Sequence, residues 1–378
     1  MFSIYVIQIL LILFFGYLFR NDKKKFLTAA FIILFVVMAF RDAGRIGYDS
    51  SSSYYIEYEG IKTKELSWPN PGLPIIMKAI KNLNGDYQWI IVITAIVVCF
   101  AYYKLLVKYS ENGFISVMWF MGMFFYTFLF SALKQAWAMA FLCFAFDAIF
   151  EKKPLRFVVL VGLAVLFHFP ALIFLPAYWI AKLQINRSFP ILMFSVLVIV
   201  YIFRSQIVSL MTSAYSKGNL EYSSTVAFLG TKFVLMVLIL LYALYLYYTA
   251  EAKNRVLGAL IYFMGLAAVI QTFCFYSNTF ERLADFYYQF SILFMPLVVK
   301  GNTYDSKETV QSDLSYTNGI SGSGDSLAKK RIIKYTFADI SVSTVFAVVI
   351  TVFCVWRYVS YMQNDAFFSP FYFFWQNG

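Results

Sequence analysis

Long apolar segments follow one another along almost the whole chain, and short polar loops separate them. A helix needs about 20 predominantly apolar residues to cross the hydrocarbon core of a membrane. The composition agrees, because 61% of the 378 residues are hydrophobic and only 13% are charged, whereas soluble chains are about half apolar and a quarter charged. The sequence therefore predicts an all-α polytopic membrane protein that forms a single transmembrane domain over residues 1–378.

About twelve membrane segments are expected, and two of them are the arms of a broken hairpin. Short loops rich in lysine and arginine stay on the cytoplasmic side of a membrane. The most basic short loop covers residues 20–25, so we place it inside and both chain termini outside. The first apolar segment lacks the flanks of a signal peptide, which predicts a retained helix. The segments are 2–19, 26–40, 89–107, 114–130, 131–150, the hairpin 157–181, 189–203, 226–250, 256–277, 283–299 and 335–361.

The hairpin is predicted because segment 157–181 has basic loops on both sides, with Lys152 before it and Lys182 after it. A single crossing would place one of these loops outside, against the charge rule. A broken hairpin keeps both inside, and its turn is expected at residues 167–170, around His168. Since each arm is too short to span the membrane, we expect the turn at membrane depth, where it lines a cavity of the protein.

Two long loops are predicted, and their compositions differ. Residues 41–88 form an outer loop in which apolar residues recur at helical spacing, at Leu73, Ile76, Met77, Ile80 and Leu83. This pattern predicts an amphipathic helix that lies on the outer leaflet and contacts membrane lipids. Residues 300–334 are rich in Ser, Gly, Asn and Asp, which predicts a flexible cytoplasmic loop without chemistry.

Charged residues and glycines cluster at the start of the outer loop, where a membrane helix should end. Arg41 and Arg45 are four residues apart, so a helical continuation would place both guanidinium groups on one face. Planar guanidinium groups suit bidentate binding of phosphate oxygens, and glycines let the backbone approach a ligand closely. The alternative is that Arg41 only anchors the helix end at the membrane surface. For the whole cluster we favour a functional role.

Ionisable residues at or below the outer surface are the candidates for chemistry. They are Arg41, Asp42, Arg45, Asp49, Glu57, Lys134, Arg204, Glu221, Glu281 and Arg282, with His168 deeper in the protein. The set is rich in cations and contains no Cys/His cluster and no close acidic pair, so neither a metal nor another cofactor is expected. It suits a phosphate or diphosphate whose charge the basic side chains neutralise. The net charge of +11 resides in short loops between apolar segments, so nucleic acid is not expected as a partner.

His168 is the single histidine of the chain. A lone histidine is often a core residue that is hydrogen-bonded to a neighbour, and this interpretation stays open here. At a hairpin turn that lines a cavity, its imidazole could instead take a proton from a sugar hydroxyl.

Five stretches of the chain resemble, in order, motifs of the EpsG family of Wzy-type polysaccharide polymerases. They are residues 41–54, residues 131–136, residues 167–172, Arg282 with Tyr287, and residues 370–374. One departure occurs in the second stretch, where Lys134 stands before Gln135 and the family usually has arginine. Lysine keeps the charge but lacks the bidentate fork of arginine.

The resemblance implies a metal-independent glycosyltransferase at the outer face of a bacterial inner membrane. It would join undecaprenyl-diphosphate-linked oligosaccharide repeat units of an exopolysaccharide or of the O-antigen of lipopolysaccharide. The growing chain would leave its lipid diphosphate and join the non-reducing hydroxyl of a newly flipped unit. A chain-length regulator protein is a further expected partner.

The resemblance also implies roles for individual residues. The leaving diphosphate would be bound by Arg41, Arg45 and Arg282, with Lys134 in support. His168 would act as the base or orient the acceptor, and Asp49 would orient an arginine or a sugar hydroxyl. The further candidates from the matching motifs are Gln135, Tyr54 and Tyr287.

Three other functions stay open on the sequence. A flippase for lipid-linked oligosaccharides would also have about twelve helices and a cationic cavity, but it should show two similar halves, and no internal repeat is visible. A polyprenyl-phosphate sugar transferase would need an acidic base in the first outer loop, and Asp42 or Asp49 could serve. A ligase that transfers polymer to lipid A would share the donor chemistry and differ in its acceptor.

Overall fold

The computed structural model describes residues 3–63, 66, 68–214, 231–250, 254–275, 279–300 and 342–376. Regular structure in these residues is helical, with one isolated β-bridge and no strand, which confirms the all-α class. The α-helices are α1 (Ile4–Leu18), α2 (Lys23–Phe40), α3 (Tyr48–Ser51), α4 (Ser53–Glu59), α5 (Gly72–Asn82), α6 (Gln88–Tyr109), α7 (Gly113–Gly122), α8 (Phe125–Ser131), α9 (Leu133–Phe150), α10 (Pro154–Phe167), α11 (Ala177–Ile180), α12 (Phe189–Ala214), α13 (Thr231–Thr249), α14 (Arg255–Gln271), α15 (Thr279–Tyr288), α16 (Ser291–Lys300) and α17 (Val342–Asn364). The 3-10 segments are Phe169–Phe174, Thr272–Phe275 and Phe374–Gln376.

Several of these helices can cross a membrane. In the described ranges, five are long and apolar enough, namely α6, α9, α12, α14 and α17. The pair α7 and α8 adds a sixth if it is counted as one span, and it is bent by 50°. Shorter apolar helices, including α1 and α10, accompany them. The helices thus support a multi-pass membrane protein, whereas the count of about twelve segments is not confirmed and stays a prediction.

The segment predicted as one crossing over residues 114–130 is broken in the structure. Phe124 has a left-handed backbone with φ of 65° between α7 and α8, a conformation that is uncommon for residues other than glycine. The break redirects α8 toward the outer loop. Near the end of α8, the carbonyl of Phe130 accepts a hydrogen bond of 2.7 Å from the guanidinium group of Arg41.

Hydrogen bonds between buried polar side chains connect helices that are far apart in sequence. Tyr358 of α17 donates to Gln8 of α1, whose side-chain amide donates to the hydroxyl of Tyr126 at 3.1 Å. Tyr126 of α8 in turn donates to the Leu34 carbonyl of α2 at 2.7 Å. Buried polar groups are costly unless they are hydrogen-bonded, so this chain of bonds holds the four helices in one arrangement.

The predicted chain reversal around His168 is confirmed. Helix α10 ends at Phe167, and the 3-10 segment and α11 return along it. An unbroken helix would separate Phe157 from Tyr178 by about 30 Å, but the two rings lie 5.3 Å apart. His168 therefore occupies the tip of a hairpin, and both basic flanks lie at the opposite end.

The helix predicted in the outer loop is present as α5, but part of its surroundings was not predicted. Leu73 and Met77 are fully buried in a hydrophobic cluster with Ile90, Leu133 and Phe167. Part of the apolar face of α5 thus packs on the start of α9 and on the hairpin tip, whereas Leu83 of the predicted face is 83% exposed. Its predicted contact with the outer leaflet stays a prediction. Apart from Lys300, the predicted flexible loop over residues 300–334 lies outside the described residues.

Candidate functional site

Arg41 is fully buried at the end of α2. Its guanidinium donates to three backbone carbonyls, those of Met38, Ile46 at 3.4 Å and Phe130 at 2.7 Å. It also lies 4.4 Å from the centre of the Phe130 ring. No carboxylate among the described residues forms an ion pair with it. The guanidinium therefore ties the outer loop to α2 and α8.

The C-terminal tail packs on the same loop. Arg41 forms an isolated antiparallel bridge with Phe373. The backbone N–H of Asp42 donates to the Tyr372 carbonyl at 2.8 Å, and that of Gly47 donates to the Phe367 carbonyl at 2.9 Å. The first and last motifs of the sequence are thus in contact.

Two ion pairs lie between the outer loop and the helices below it. Arg282 of α15 pairs with Asp49 of α3 at 3.6 Å, and Lys134 of α9 pairs with Glu57 of α4 at 3.0 Å. The Arg282 side chain is half exposed, whereas that of Glu57 is only 12% exposed. We call these four residues, together with His168, the charged cluster.

His168 reaches the charged cluster from the hairpin tip. Its ring is half-buried and lies 6.0 Å from the ring of Phe286. The charges of Arg282 and Lys134 both act on it. The tip is held against the outer loop, because the backbone N–H of Phe169 donates to Asn70 at 2.6 Å. An imidazole can accept or donate a proton, so this position gives the charged cluster a group for proton transfer.

Three further candidates surround the cluster. The amide of Gln135 donates to the Arg282 carbonyl at 2.7 Å, and its buried side-chain oxygen has no partner among the described residues. The hydroxyl of Tyr287 donates to the Ile173 carbonyl at 2.7 Å, which joins α15 to the hairpin. Tyr54 lies with its ring 5.5 Å from the Lys134 ammonium. Burial raises the pKa of the Tyr54 hydroxyl above its ordinary value, so the group stays a neutral donor.

Arg45 faces a different space. It pairs with Asp42 at 3.5 Å, is 54% exposed, and lies 5.0 Å from the centre of the Tyr372 ring. It lines a cavity of about 700 Å³. The other lining residues are Phe40, Asp42, Ala43, Gly44, Tyr55, Asp86, Tyr87, Gln88, Trp89, Val92 and Phe374. We call this space the side cavity.

The structure thus divides the residues that were predicted to bind one diphosphate. Arg282 pairs with Asp49 and Lys134 pairs with Glu57, and the charges of both cations act on His168. Arg45 lines the side cavity instead. Arg41 is 0% exposed, and its donors are engaged with backbone carbonyls, so this arrangement does not support a ligand contact for it. The sequence placed Arg41 and Arg45 together because it could not show how the chain turns after α2.

One pairing and one residue of the site were missed by the sequence reasoning. Glu57 was among the ionisable candidates, but its ion pair with Lys134 was not predicted. Gln88 bonds through its amide to the Ala39 and Arg41 carbonyls at 2.8 and 2.9 Å, and accepts from the Ala43 N–H at 3.2 Å. Nothing in the local sequence marks Gln88 for this role.

Comparison with known proteins gives one match. A family model described as the EpsG family matches residues 24–311, which is about three quarters of the chain. The match includes the whole charged cluster, and it ends before the C-terminal tail. No curated protein and no solved structure matches the chain.

Proposed function

Since the chain belongs to the EpsG family, a family of Wzy-like polymerases, we propose that it polymerises oligosaccharide repeat units that are linked to undecaprenyl diphosphate. The product would be an exopolysaccharide or the O-antigen of lipopolysaccharide. The observation that carries the proposal is the charged cluster, in which two cations, each held by a carboxylate, act electrostatically on a half-buried imidazole. These are the parts that a glycosyl transfer from a diphosphate needs.

The reaction forms one glycosidic bond and breaks one bond to phosphate. A hydroxyl at the non-reducing end of the acceptor unit attacks the anomeric carbon of the growing chain. The bond from that carbon to the diphosphate oxygen breaks, and its electron pair leaves with the lipid diphosphate. The acceptor hydroxyl loses its proton to His168, which lies near the cations that hold the leaving group.

Arg282 and Lys134 are assigned to the leaving diphosphate. In the free protein Asp49 and Glu57 balance their charge, so the two cations tolerate one another. The half-exposed Arg282 can turn its fork to phosphate oxygens, and charge-assisted bonds of this kind contribute about 1.5–3 kcal/mol each. They strengthen as the leaving group gains charge, which lowers the barrier.

The other candidates orient the two cations or hold the elements that carry them. Asp49 orients Arg282, and Gln135 fixes the backbone of that residue. Tyr54 and Tyr287 hold Lys134 and the hairpin in place. Arg41 is proposed as a positioning residue for the outer loop, in place of the diphosphate contact predicted from the sequence.

We further propose the topology predicted from the sequence, with about twelve membrane segments, both termini outside and the charged cluster at the outer face of the inner membrane. A chain-length regulator protein would then contact the protein from that side. A Ser52→Cys variant in intact spheroplasts should react with a membrane-impermeant thiol reagent, and a Lys152→Cys variant should not. The opposite labelling pattern would reverse the orientation.

The proposed activity is tested with the purified protein in lipid nanodiscs and lipid-linked repeat units. A ladder of longer saccharides should appear, together with released undecaprenyl diphosphate. If the protein is folded and the units stay single, the proposal fails. Transport of labelled units across a vesicle membrane without any ladder would identify a flippase instead.

A further inference from the structure

The side cavity is separate from the charged cluster, and the proposed reaction uses none of its side chains. Its volume of about 700 Å³ is in the range of ligand sites in proteins. Its walls come from the end of α2, the loop after it, α4, the start of α6 and the tail. We propose that the side cavity is a binding subsite for the neutral sugars of the saccharide chain, beyond the reacting sugar.

Aromatic rings form much of the wall. Tyr55, Trp89 and Phe374 are 41%, 56% and 42% exposed, so their ring surfaces are accessible to a ligand. The buried Tyr87 lies under Tyr55, with the two rings edge to face and their centres 5.4 Å apart. Sugar rings present C–H faces that pack on aromatic rings, and they need polar partners at their edges.

Polar groups lie at the edges of these rings. The exposed Asp86 uses one carboxylate oxygen to accept the Gln88 N–H at 2.7 Å, and its second oxygen can accept a sugar hydroxyl. The Nε of Arg45 pairs with Asp42 at 3.5 Å, and its terminal nitrogens can donate to sugar oxygens. The wall thus offers both acceptors and donors beside stacking surfaces, which is the chemistry of a carbohydrate site.

The charge of the cavity favours a neutral ligand over a diphosphate. Two carboxylates, Asp42 and Asp86, line it, and Arg45 is the single lysine or arginine among its described lining residues. A diphosphate would meet a net negative wall, and a lipid chain would have to cover charged groups without hydrogen bonds. A neutral saccharide meets neither difficulty.

The position of the cavity fits a chain that extends from the reaction site. Tyr54 contacts Lys134 of the charged cluster, while the next residue, Tyr55, lines the side cavity. Successive residues of an α-helix point about 100° apart, so the two spaces lie against different faces of α4. A saccharide whose reacting end lies at His168 can place its next sugars in the cavity. The inference rests on the proposed function for this class of ligand.

The test uses the lipid-free repeat unit, released by mild acid from the lipid-linked material, as a probe in isothermal titration calorimetry. Trp89→Ala and Asp86→Asn should each weaken its binding by about fivefold or more, a loss typical of one stacking or hydrogen-bonding contact. Trp179→Ala is the matched control, because Trp179 is also exposed, at 59%, and lies at the far end of the hairpin. Melting temperatures show whether each variant is folded, and Asp86→Asn serves if Trp89→Ala does not fold.

The outcomes separate this inference from the proposed function. If both cavity variants bind the repeat unit as the wild type does, and the wild type forms polymer, the subsite is overturned and the proposed polymerase activity is supported. Binding that depends on Trp89 and Asp86, without any polymer from lipid-linked units, would support the subsite and overturn the polymerase. A loss of binding in Trp179→Ala equal to that in Trp89→Ala would overturn the subsite, because the effect would then not be local.

Discussion

The charged cluster and the side cavity lie against different faces of α4, and each contains an arginine paired with an aspartate. In the cluster a second ion pair is present, and the charges of both cations act on an imidazole. In the side cavity Arg45 is surrounded mainly by aromatic rings and carboxylates. An arginine alone is therefore not sufficient to predict a diphosphate site, because the charges of the neighbouring side chains determine which ligands it can bind.

The largest effect is expected from Arg282→Ala. The variant should form polymer about 10²-fold more slowly or worse, because it loses a contact that strengthens as the leaving group gains charge. Arg282→Lys should recover little, since it keeps the charge without the fork. The rate of ladder formation from lipid-linked units measures this. Arg204→Ala is the control, because Arg204 lies outside both regions. A wild-type rate of polymer formation in Arg282→Ala would show that Arg282 does not take part in the reaction.

A slightly smaller effect is expected from His168→Gln. Loss of a general base typically slows a reaction by about 10²-fold, and glutamine keeps the size and polarity of the side chain. In the wild type the rate should rise as the pH passes through the range in which the imidazole loses its proton, since the neutral ring accepts the proton. The variant should lack this rise. If the pH–rate profile of the variant parallels that of the wild type, His168 has a structural role and does not act as the base.

Arg41 and Arg45 differ in burial, so lysine at each position should affect stability differently. Arg41→Lys leaves one or more buried carbonyls without a donor, and each such loss destabilises by about 1–3 kcal/mol. Arg45→Lys keeps a positive charge beside the buried Asp42, and the Arg45 side chain itself is 54% exposed, so the expected loss is only about 0–1 kcal/mol. Thermal unfolding in detergent should therefore show a lower midpoint for Arg41→Lys than for Arg45→Lys. Equal midpoints would contradict the structural role of Arg41.

The smallest effect is expected from Lys134→Arg. Arginine keeps the pair with Glu57 and adds a fork that suits phosphate, so the polymerisation rate should stay within about threefold of the wild type. Lys134→Gln, which removes the charge, should be slower by about tenfold, since one charge-assisted bond is lost. The two variants are compared in the same ladder assay. A severe loss in Lys134→Arg would show that the site needs the smaller lysine side chain and not only its positive charge.

Much of the fold could be predicted from the sequence. Apolar length and the positions of basic loops are local properties, and they predicted the helical membrane class, α5 and the chain reversal at His168. The break at Phe124 was not predicted, although Gly122 ends α7 just before it. A glycine inside an apolar segment also allows close packing between helices, and Gly122 lies against Cys354 of α17. The packing of α5 on the protein was also missed, because an apolar helix face looks the same whether protein or lipid covers it.

The sequence by itself determined which residues could do chemistry, since charged groups in an apolar chain are few and lie where its segments end. Only the tertiary structure decided which of them share a site. Arg41 and Arg45 are neighbours in sequence, but the turn after α2 buries one and directs the other to the side cavity. Asp49 and Arg282 are far apart in sequence and form a pair. An ion pair depends on the distance between side chains in space, and that distance is set by how α3 and α15 pack.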